Sequence, residues 1–289
     1  MEQVRETIRR QVRKVTGAGD GAIDLTRPPG DDGLFGPGSV AWRVHGDFTA
    51  MMIGGVAALM LQMLHPRALA GVWDHSNFRR DALGRLKRTA QFIAGTTYGA
   101  TPEAERLIER VRRIHDQVSG TLPDGTPYSA NDPELLTWVH VAECEMFLSA
   151  YLRYRGRLSI AEQDRYFAEV AVIAERLGAT GVPRSRAAAH AFLARMRPQL
   201  RCDTRTVDVL AALRRPSSGN PAMRPFGDLT FRAGADLLPR WARAMLHLNL
   251  YEAERPLVRA GVRGVGRVLR WALADQTAES TARRGGGVR

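Results

Sequence analysis

The sequence predicts an all-α fold in a single globular domain, and three observations support this prediction. Apolar residues recur at helical spacing through most of the 289-residue chain. No segment alternates apolar and polar residues in the way that a half-buried strand does. The composition, with 44% hydrophobic and 25% charged residues, is typical of a protein with a substantial core.

The predicted helices begin with a short amphipathic helix over residues 2–16, followed by an arm at 18–40 that is rich in Gly, Asp and Pro. A buried helix over 47–64 ends before His65-Pro66, because proline disfavours helical backbone in the residue before it. The other predicted helices span 81–95, 102–118, 133–154, 160–177, 184–197, 203–213, 234–250 and 252–273.

Local start signals support several of these helices. Pro102 and Pro133 stand where a first helical turn tolerates proline, and Ser159 followed by Glu162 matches a capping box. The sequence therefore divides into three parts: an N-terminal helix and arm at 1–30, a helical domain at 31–274, and a flexible polar tail at 275–289.

The net charge of +12 invites a nucleic-acid or membrane-surface interpretation. All of the 42 basic residues except Lys14 and Lys87 are arginine, and they are spread along the whole chain. No helix-turn-helix, zinc-finger or aromatic RNA-reading motif accompanies the charge. We therefore expect no nucleic-acid partner, and a basic nucleic-acid binder stays the least favoured alternative.

The two cysteines, Cys144 and Cys202, lie too far apart to form a disulfide framework or a zinc motif. The N-terminus lacks the apolar stretch of a secretory signal. The longest apolar run, at 51–64, is too short to span a bilayer. These features predict a cytoplasmic protein with no stable membrane insertion.

His115 is the most informative of the seven histidines. In the helix predicted over 102–118, it follows Val111 by four residues and so lies on the apolar face, which Ile114 and Val118 continue. The pattern alone favours a hydrogen-bonded histidine in the core. The functional alternative is an axial ligand of haem, where a neutral imidazole nitrogen meets iron in an apolar pocket.

His140 and His65 are the next candidates. His140 follows Leu136 by four residues in a predicted helix, so it is either a buried histidine bonded to a carbonyl or carboxylate, or a support or acid–base group of a pocket. His65-Pro66 and the later Asp74-His75-Ser76 segment either cap helices or close one side of a pocket. The remaining histidines carry no local signal and are expected to be structural: His45, His190 and His247.

Arg85, Arg88 and Thr89 share one helical face, since they stand at i, i+3 and i+4. One interpretation is a solvated basic face. The other is a pocket wall in which two guanidinium groups and a hydroxyl pair with haem propionates or with anions derived from oxygen.

An ordered series of segments resembles the MpaB-type oxygenase family, which includes the rubber-cleaving latex clearing proteins. The order and spacing of the segments together carry the resemblance, which covers about residues 30–250. The matching segments are 35–45, 64–68, 74–76, 85–89, 115–120 and 132–140.

The resemblance implies an all-helical fold that encloses one non-covalently bound b-type haem (heme b) and uses O2 as a co-substrate. Latex clearing proteins carry an Arg-x-x-Lys-Thr element over the haem and a proximal histidine on a later helix. Arg85 and Thr89 match the arginine and the threonine, and His115 is the best match for the proximal histidine. Arg88 stands in the place of the lysine.

That departure bears on the reaction, because a lysine amine can ligate iron whereas a guanidinium that stays protonated essentially cannot. The distal position is therefore expected to be left to water or oxygen, or Arg88 pairs with a propionate. The matching segment also lacks a counterpart of the acidic base proposed in rubber-cleaving enzymes. We expect a small intracellular apolar substrate rather than rubber.

The expected protein is thus a haem-dependent oxygenase or oxidase, and it is expected to work with a redox partner. His115 is the predicted iron ligand, with His140 and His65 supporting the pocket. Arg85, Arg88 and Thr89 are the predicted distal or propionate-binding residues. The alternatives are a non-catalytic haem carrier or redox sensor, and a haem-free helical enzyme or binding protein whose histidines are structural or bind another metal.

Overall fold

The helical periodicity is realised throughout the part of the chain that the computed structural model describes, namely residues 1–16, 30–77, 82–214, 224–248 and 254–285. The all-α prediction is confirmed, whereas the enclosed haem pocket stays a prediction. The helices are α1 (Glu2–Thr16), α2 (Val40–His45), α3 (Phe48–Gln62), α4 (Pro66–His75), α5 (Ala82–Tyr98), α6 (Thr101–His115), α7 (Pro133–Tyr154), α8 (Ile160–Arg176), α9 (Arg186–Met196), α10 (Thr204–Arg214), α11 (Arg224–Leu237), α12 (Arg240–Met245) and α13 (Arg255–Gly285). A short hairpin of β1 (Ser119–Thr121) and β2 (Pro127–Ser129) lies between α6 and α7.

The helix starts follow the predicted signals. Asp132 caps α7 by accepting hydrogen bonds from two backbone N–H groups of its first turn. Pro102 lies in the first turn of α6. Ser159 and Glu162 form the predicted capping box at the start of α8. These local signals explain why α6, α7 and α8 begin within a residue of the predicted positions.

The centre of the core is the close packing of α3 against α7. A Cβ atom at Gly54 would lie 2.9 Å from Cδ1 of Phe147 and 3.0 Å from the carbonyl oxygen of Met146, so glycine permits this approach. α11 crosses the other side of α3, where a Cβ atom at Gly234 would lie 3.0 Å from Cγ1 of Val56. The glycines therefore set the distances at which the three central helices pack.

α3 and α4 are separated by a sharp bend that contains His65 and Pro66. His65 adopts an extended backbone as the N-cap residue of α4, and Pro66 begins the new helix. In the described ranges no single helix is long and apolar enough to cross a membrane; only α3 and α4 taken together pass that test, and they are bent by 106°.

α5 and α6 form an antiparallel helical hairpin. The chain reverses at Gly99 and Ala100, against the loop around Gly33, where a Cβ atom would lie 2.3 Å from the Gly99 carbonyl oxygen. Asp31 accepts hydrogen bonds from the backbone N–H and the hydroxyl of Thr101, at 3.0 and 2.9 Å. These contacts fix the start of α6 and hence the level that its last residue reaches.

The predicted helix over 102–118 is too long at its C-terminal end. α6 ends at His115. Val118, just before β1, already extends the pairing of the β1–β2 hairpin, because its carbonyl accepts the Ala130 N–H at 2.8 Å. The hairpin strands are three residues each, too short to show an alternating pattern.

The helix predicted over 234–250 is wrong. The chain there contains the end of α11 and the short α12, separated at Pro239, whose ring is incompatible with a continuous helix. Helices α2 and α4, which are short, were not predicted, and neither was most of α11, which begins at Arg224, ahead of the predicted start at 234.

The two predicted terminal segments are described only in part. Of the arm at 18–40, residues 18–29 lie outside the described residues. The backbone of α13 extends to Gly285, whereas the side chains from residue 275 onward lie outside the description. The flexibility of the tail at 275–289 and the boundaries at 30 and 274 therefore stay predictions.

Candidate functional site

The α5–α6 hairpin places two predicted site residues at similar distances from its turn, that is, at the same level along the two helices. Arg85 lies near the start of α5, and His115 is the last residue of α6. Arg85 precedes the reversal at Gly99 by nearly as many residues as His115 follows it. At about 1.5 Å per residue, both lie roughly 20 Å from the turn. Two residues that are far apart in sequence thus occupy the same end of one hairpin.

His115 carries an imidazole whose charge is suppressed by its surroundings. Its Nδ1 atom is buried and has no hydrogen-bond partner among the described residues. Burial lowers the pKa of His115, and nearby Asp116 only partly opposes this effect. The ring is therefore neutral at neutral pH, as a metal ligand must be.

The apolar face predicted around His115 needs one correction. Ile114 is 52% exposed, although the helical pattern places it on the apolar face of α6. Val118 does pack inward, but from the loop after the helix: a Cβ atom at Gly71 of α4 would lie 3.4 Å from its Cγ1 atom. The apolar surroundings of His115 are thus completed by α4 rather than by α6 alone.

The end of α4 links the Arg85 region to the chain that follows His115. Arg85 Nη1 donates a hydrogen bond to Ser76 Oγ at 2.9 Å. His75 Nε2 lies 3.1 Å from the carbonyl oxygen of Ser119, the first residue of β1. His75 is the last residue of α4 and Ser76 is its C-cap, so the helix-end alternative for the 74–76 segment is observed, and its role in closing one side of a pocket stays a prediction.

A second set of contacts attaches the β1–β2 hairpin to α4. The Tyr128 hydroxyl donates to Asp74 Oδ2 at 2.8 Å, and Arg205 lies 3.6 Å from the other oxygen of that carboxylate. A surface cavity of about 380 Å³ opens beside this junction, within the size range of ligand pockets. None of the predicted haem-site residues lines it; the lining residues are Pro66, Leu69, Leu122, Pro123, Asp124, Arg201, Asp203, Thr204 and Arg205.

Arg85 differs from the two residues predicted to share its face. Its side chain is half-buried, whereas Arg88 and Thr89 are exposed. Burial, together with the positive charge of Arg88, lowers the pKa of Arg85. A half-buried guanidinium that faces a second cation favours a bound anion.

His65 is a fully buried imidazole whose polar contact with the side chain of Gln199 is weak. It is 1% exposed, and both of its ring nitrogens lack a hydrogen-bond partner among the described residues. Burial, and then the charge of Arg67, lower its pKa to about 4. Its ring packs with the centroid 5.9 Å from that of Trp138. His65 is therefore a neutral part of the core at the α3–α4 bend.

His140 lies in the middle of α7, and burial lowers its pKa to about 4. The carbonyl or carboxylate partner expected for a core histidine is not present among the described residues. Instead, Cys144 Sγ lies 3.6 Å from His140 Nε2, one helical turn away. The imidazole is thus neutral and only weakly hydrogen-bonded.

His45, which the sequence analysis treats as structural, belongs to a buried polar cluster. Its Nδ1 lies 2.8 Å from Thr97 Oγ1 and its Nε2 lies 2.9 Å from the Tyr166 hydroxyl. Burial and the proximity of His140 lower the pKa of His45 to about 3. The cluster joins α2, α5 and α8, which are far apart in sequence, so no local signal could have revealed it.

Glu143 is the main residue that the sequence analysis missed. It lies on α7 three residues after His140, and no hydrogen bond or ion pair involves it within the described ranges. Burial raises its pKa to about 7. The one available signal was a carboxylate one helical turn after His140 and on the same face of α7.

His115 and Arg85 have the chemistry that a bound haem would need from the protein. In the described part of the chain, no three His, Cys, Asp or Glu side chains converge on a point where a metal ion would bind. A haem iron needs only one protein ligand. The buried, unpartnered Nδ1 and the lowered pKa of His115 meet that requirement, and Arg85 offers a cation at the same level.

Comparison with known proteins gives one match. Residues 42–271 match the family described as "ER-bound oxygenase mpaB/B'/Rubber oxygenase, catalytic domain". The match begins in α2 and ends in α13, so it includes all the predicted site residues. No curated protein and no solved structure matches the chain.

Proposed function

The chain belongs to the mpaB-type and rubber oxygenase family, and from this premise we propose that it is a haem-dependent oxygenase or oxidase that acts with O2 on a small apolar substrate. The observation that carries the proposal is the neutral imidazole of His115, which has a buried, unpartnered nitrogen and lies level with the half-buried Arg85.

In this proposal, His115 is the iron ligand and Arg85 pairs with a haem propionate. A bound haem would supply the redox-active iron at which O2 is activated. Arg85 is suited to its role because Ser76 already orients its guanidinium through a hydrogen bond to Nη1 at 2.9 Å. The other nitrogens of the guanidinium can then contact a carboxylate.

Arg88 and Thr89 have a different role from Arg85. Both are exposed on α5, so they donate hydrogen bonds at the mouth of the site to propionates or to anions derived from oxygen. A guanidinium stays protonated and does not ligate iron. We therefore propose that Arg88 would bind an anionic group of the haem or of the reaction and would not serve as an iron ligand.

His65 and His140 act as neutral supports of the pocket. Their pKa values, each lowered to about 4 by burial, exclude a permanent positive charge at neutral pH. Neither residue then attracts a polar substrate into the apolar core. This favours a small apolar substrate, and we further propose a cytoplasmic location and reduction by a separate redox partner.

The test is an absorption spectrum of the purified protein after reconstitution with haemin, then after reduction and exposure to oxygen. We expect a Soret band that His115→Ala changes in position and spin state. His190→Ala is the matched control, since His190 is exposed on α9 and contacts Glu145 at 3.3 Å, outside the proposed site.

The outcomes separate this function from its competitors. A Soret band that His115→Ala leaves unchanged would contradict the ligand assignment. Haem uptake without oxygen-dependent turnover would indicate a haem carrier or redox sensor. A colourless protein would indicate a haem-free binding protein or enzyme, and salt-dependent retention of DNA would indicate a nucleic-acid binder.

A further inference from the structure

Glu143 lies on the inward face of α7. It stands three residues after His140 and four before Phe147, so the three side chains share one side of the helix. The Phe147 ring packs edge-on against His45, with centroids 5.5 Å apart, and also contacts α3 at Gly54. The carboxyl group of Glu143 is therefore held on the core side of α7.

Among the described residues, no arginine or lysine pairs with Glu143. The titratable side chains that face this side of α7 are His45 on α2, Tyr166 on α8, and His140 and Cys144 on α7 itself. α3, which packs along α7, contains no titratable residue. Both imidazoles are neutral because burial lowers their pKa values to about 3 and about 4.

Other buried carboxylates of the described chain are treated differently. Glu145, two residues further along α7, receives hydrogen bonds from Arg186 at 2.7 and 3.1 Å. Asp236 and Asp47 are each paired with at least two arginines. Glu143 is only half-buried and has no such partner among the described residues; a carboxylate that is partly removed from water and not paired is costly for stability.

We propose that Glu143 is an acid–base residue of the site: its carboxyl group holds one proton on an Oε atom and exchanges that proton with the molecule bound in the pocket. This inference rests on the proposed function. Burial raises the pKa of Glu143 to about 7, so both protonation states are populated near neutral pH. Groups with a pKa near the working pH are the most effective proton donors and acceptors.

The first test measures the proton itself, in the haem-free protein. Infrared spectra over about pH 5 to 9 should show the C=O band of a protonated carboxyl that disappears around neutral pH. Glu143→Gln should lack this titrating band. Glu145→Gln, the matched buried control, should retain it because arginine keeps Glu145 ionised; the exposed Glu175→Gln is a second control if Glu145→Gln does not fold.

The second test uses the haemin-reconstituted protein. After reduction, the return to the ferric spectrum in oxygenated buffer is followed over about pH 5 to 9 for the wild type, Glu143→Gln and Glu143→Asp. Glu143→Gln should slow this step by roughly tenfold or more and flatten its pH dependence. Its Soret band should stay unchanged, and Glu143→Asp should restore part of the rate.

The outcomes distinguish this role from the proposed function. A titrating carboxyl band that persists in Glu143→Gln, or oxidation kinetics equal to those of the wild type at every pH, would overturn the role of Glu143 alone. Wild-type protein that takes up no haemin would overturn the proposed function, and the acid–base role with it.

Discussion

Two acidic residues, the fully buried Asp236 beside α7 and the half-buried Glu143 within α7, have opposite surroundings. Asp236 on α11 is 3% exposed and receives hydrogen bonds from Arg153 at 2.9 Å and Arg259 at 2.7 Å, with a third from Arg255. Glu143, in the middle of α7, has no such partner among the described residues. One carboxylate fastens three helices together, and the other is left able to change its protonation state.

The pKa values express the same difference. Burial acts to raise the pKa of Asp236, but the hydrogen bonds and charges of the arginines outweigh burial and lower it. For Glu143, burial is the single effect and the pKa rises to about 7. A fully paired buried charge therefore indicates a structural role, and an unpaired one indicates a functional role that the rest of the fold must stabilise.

The largest expected effect is at the paired site. Asp236→Asn removes the charge that holds three buried or half-buried arginines, so the free energy of unfolding should fall by about 3–5 kcal/mol. Chemical denaturation at neutral pH measures it. Glu175→Gln, at an exposed pair with Arg184, is the control and should change little; equal losses in Asp236→Asn and Glu175→Gln would contradict the structural role of Asp236.

Substitution of the unpaired Glu143 should have the opposite effect and raise the free energy of unfolding. Glu143 has a folded pKa of about 7 and an ordinary value of 4.5, so the folded state binds more protons between these values and stability falls as pH rises. Glu143→Gln removes this loss. Its free energy of unfolding should exceed that of the wild type by about 3 kcal/mol at alkaline pH.

The same denaturation curves, repeated down to acidic pH, provide the check. The difference in unfolding free energy between Glu143→Gln and the wild type should disappear as the pH falls to 4.5 and below. Glu143 then becomes protonated in the unfolded state as well as in the folded state. A constant difference at all pH values would mean that Glu143 is not protonated in the folded protein near neutral pH.

The buried imidazoles should act in the acid range. His65 has a folded pKa of about 4 against 6.5 when unfolded, so the unfolded state binds more protons between these values and stability is lost as pH falls below 6.5. His65→Gln should therefore reduce the drop in unfolding free energy between about pH 7 and 5 by about 2 kcal/mol. An undiminished drop in this variant would show that His65 is protonated in the folded state.

The smallest predicted effect concerns the basic face of α5. Arg85→Ala should weaken haemin binding by about tenfold, as expected for loss of a charge-assisted hydrogen bond. Arg88→Ala should weaken it less, because Arg88 is exposed and Arg85 is half-buried. Haemin titration followed by absorption measures both; a larger loss for Arg88→Ala would reverse the assignment.

The sequence predicts the fold where the signals are local. The bounds of α7 are those predicted, because Asp132 and Pro133 mark its start. The helix predicted over 234–250 fails because apolar periodicity continues across Pro239, where the backbone cannot. The hairpin after α6 is missed because strands of three residues leave no pattern.

The site is less predictable, because its defining features are tertiary. Helical periodicity identifies His115 and Arg85 separately, but their common level depends on the reversal at Gly99. Glu143 and Glu145 look alike in the sequence. Only the packing of α9 against α7, which brings Arg186 to one of them, shows which carboxylate is paired.

The central claim is that His115 holds the haem iron, and ligand rescue tests it most directly. His115→Gly and the control His190→Gly, at an exposed histidine outside the proposed site, are reconstituted with haemin, and the Soret band is recorded while imidazole is added. The account predicts that His115→Gly loses the wild-type spectrum and that free imidazole restores it, whereas His190→Gly shows the wild-type band without imidazole. A wild-type spectrum in His115→Gly before any imidazole is added would contradict the account.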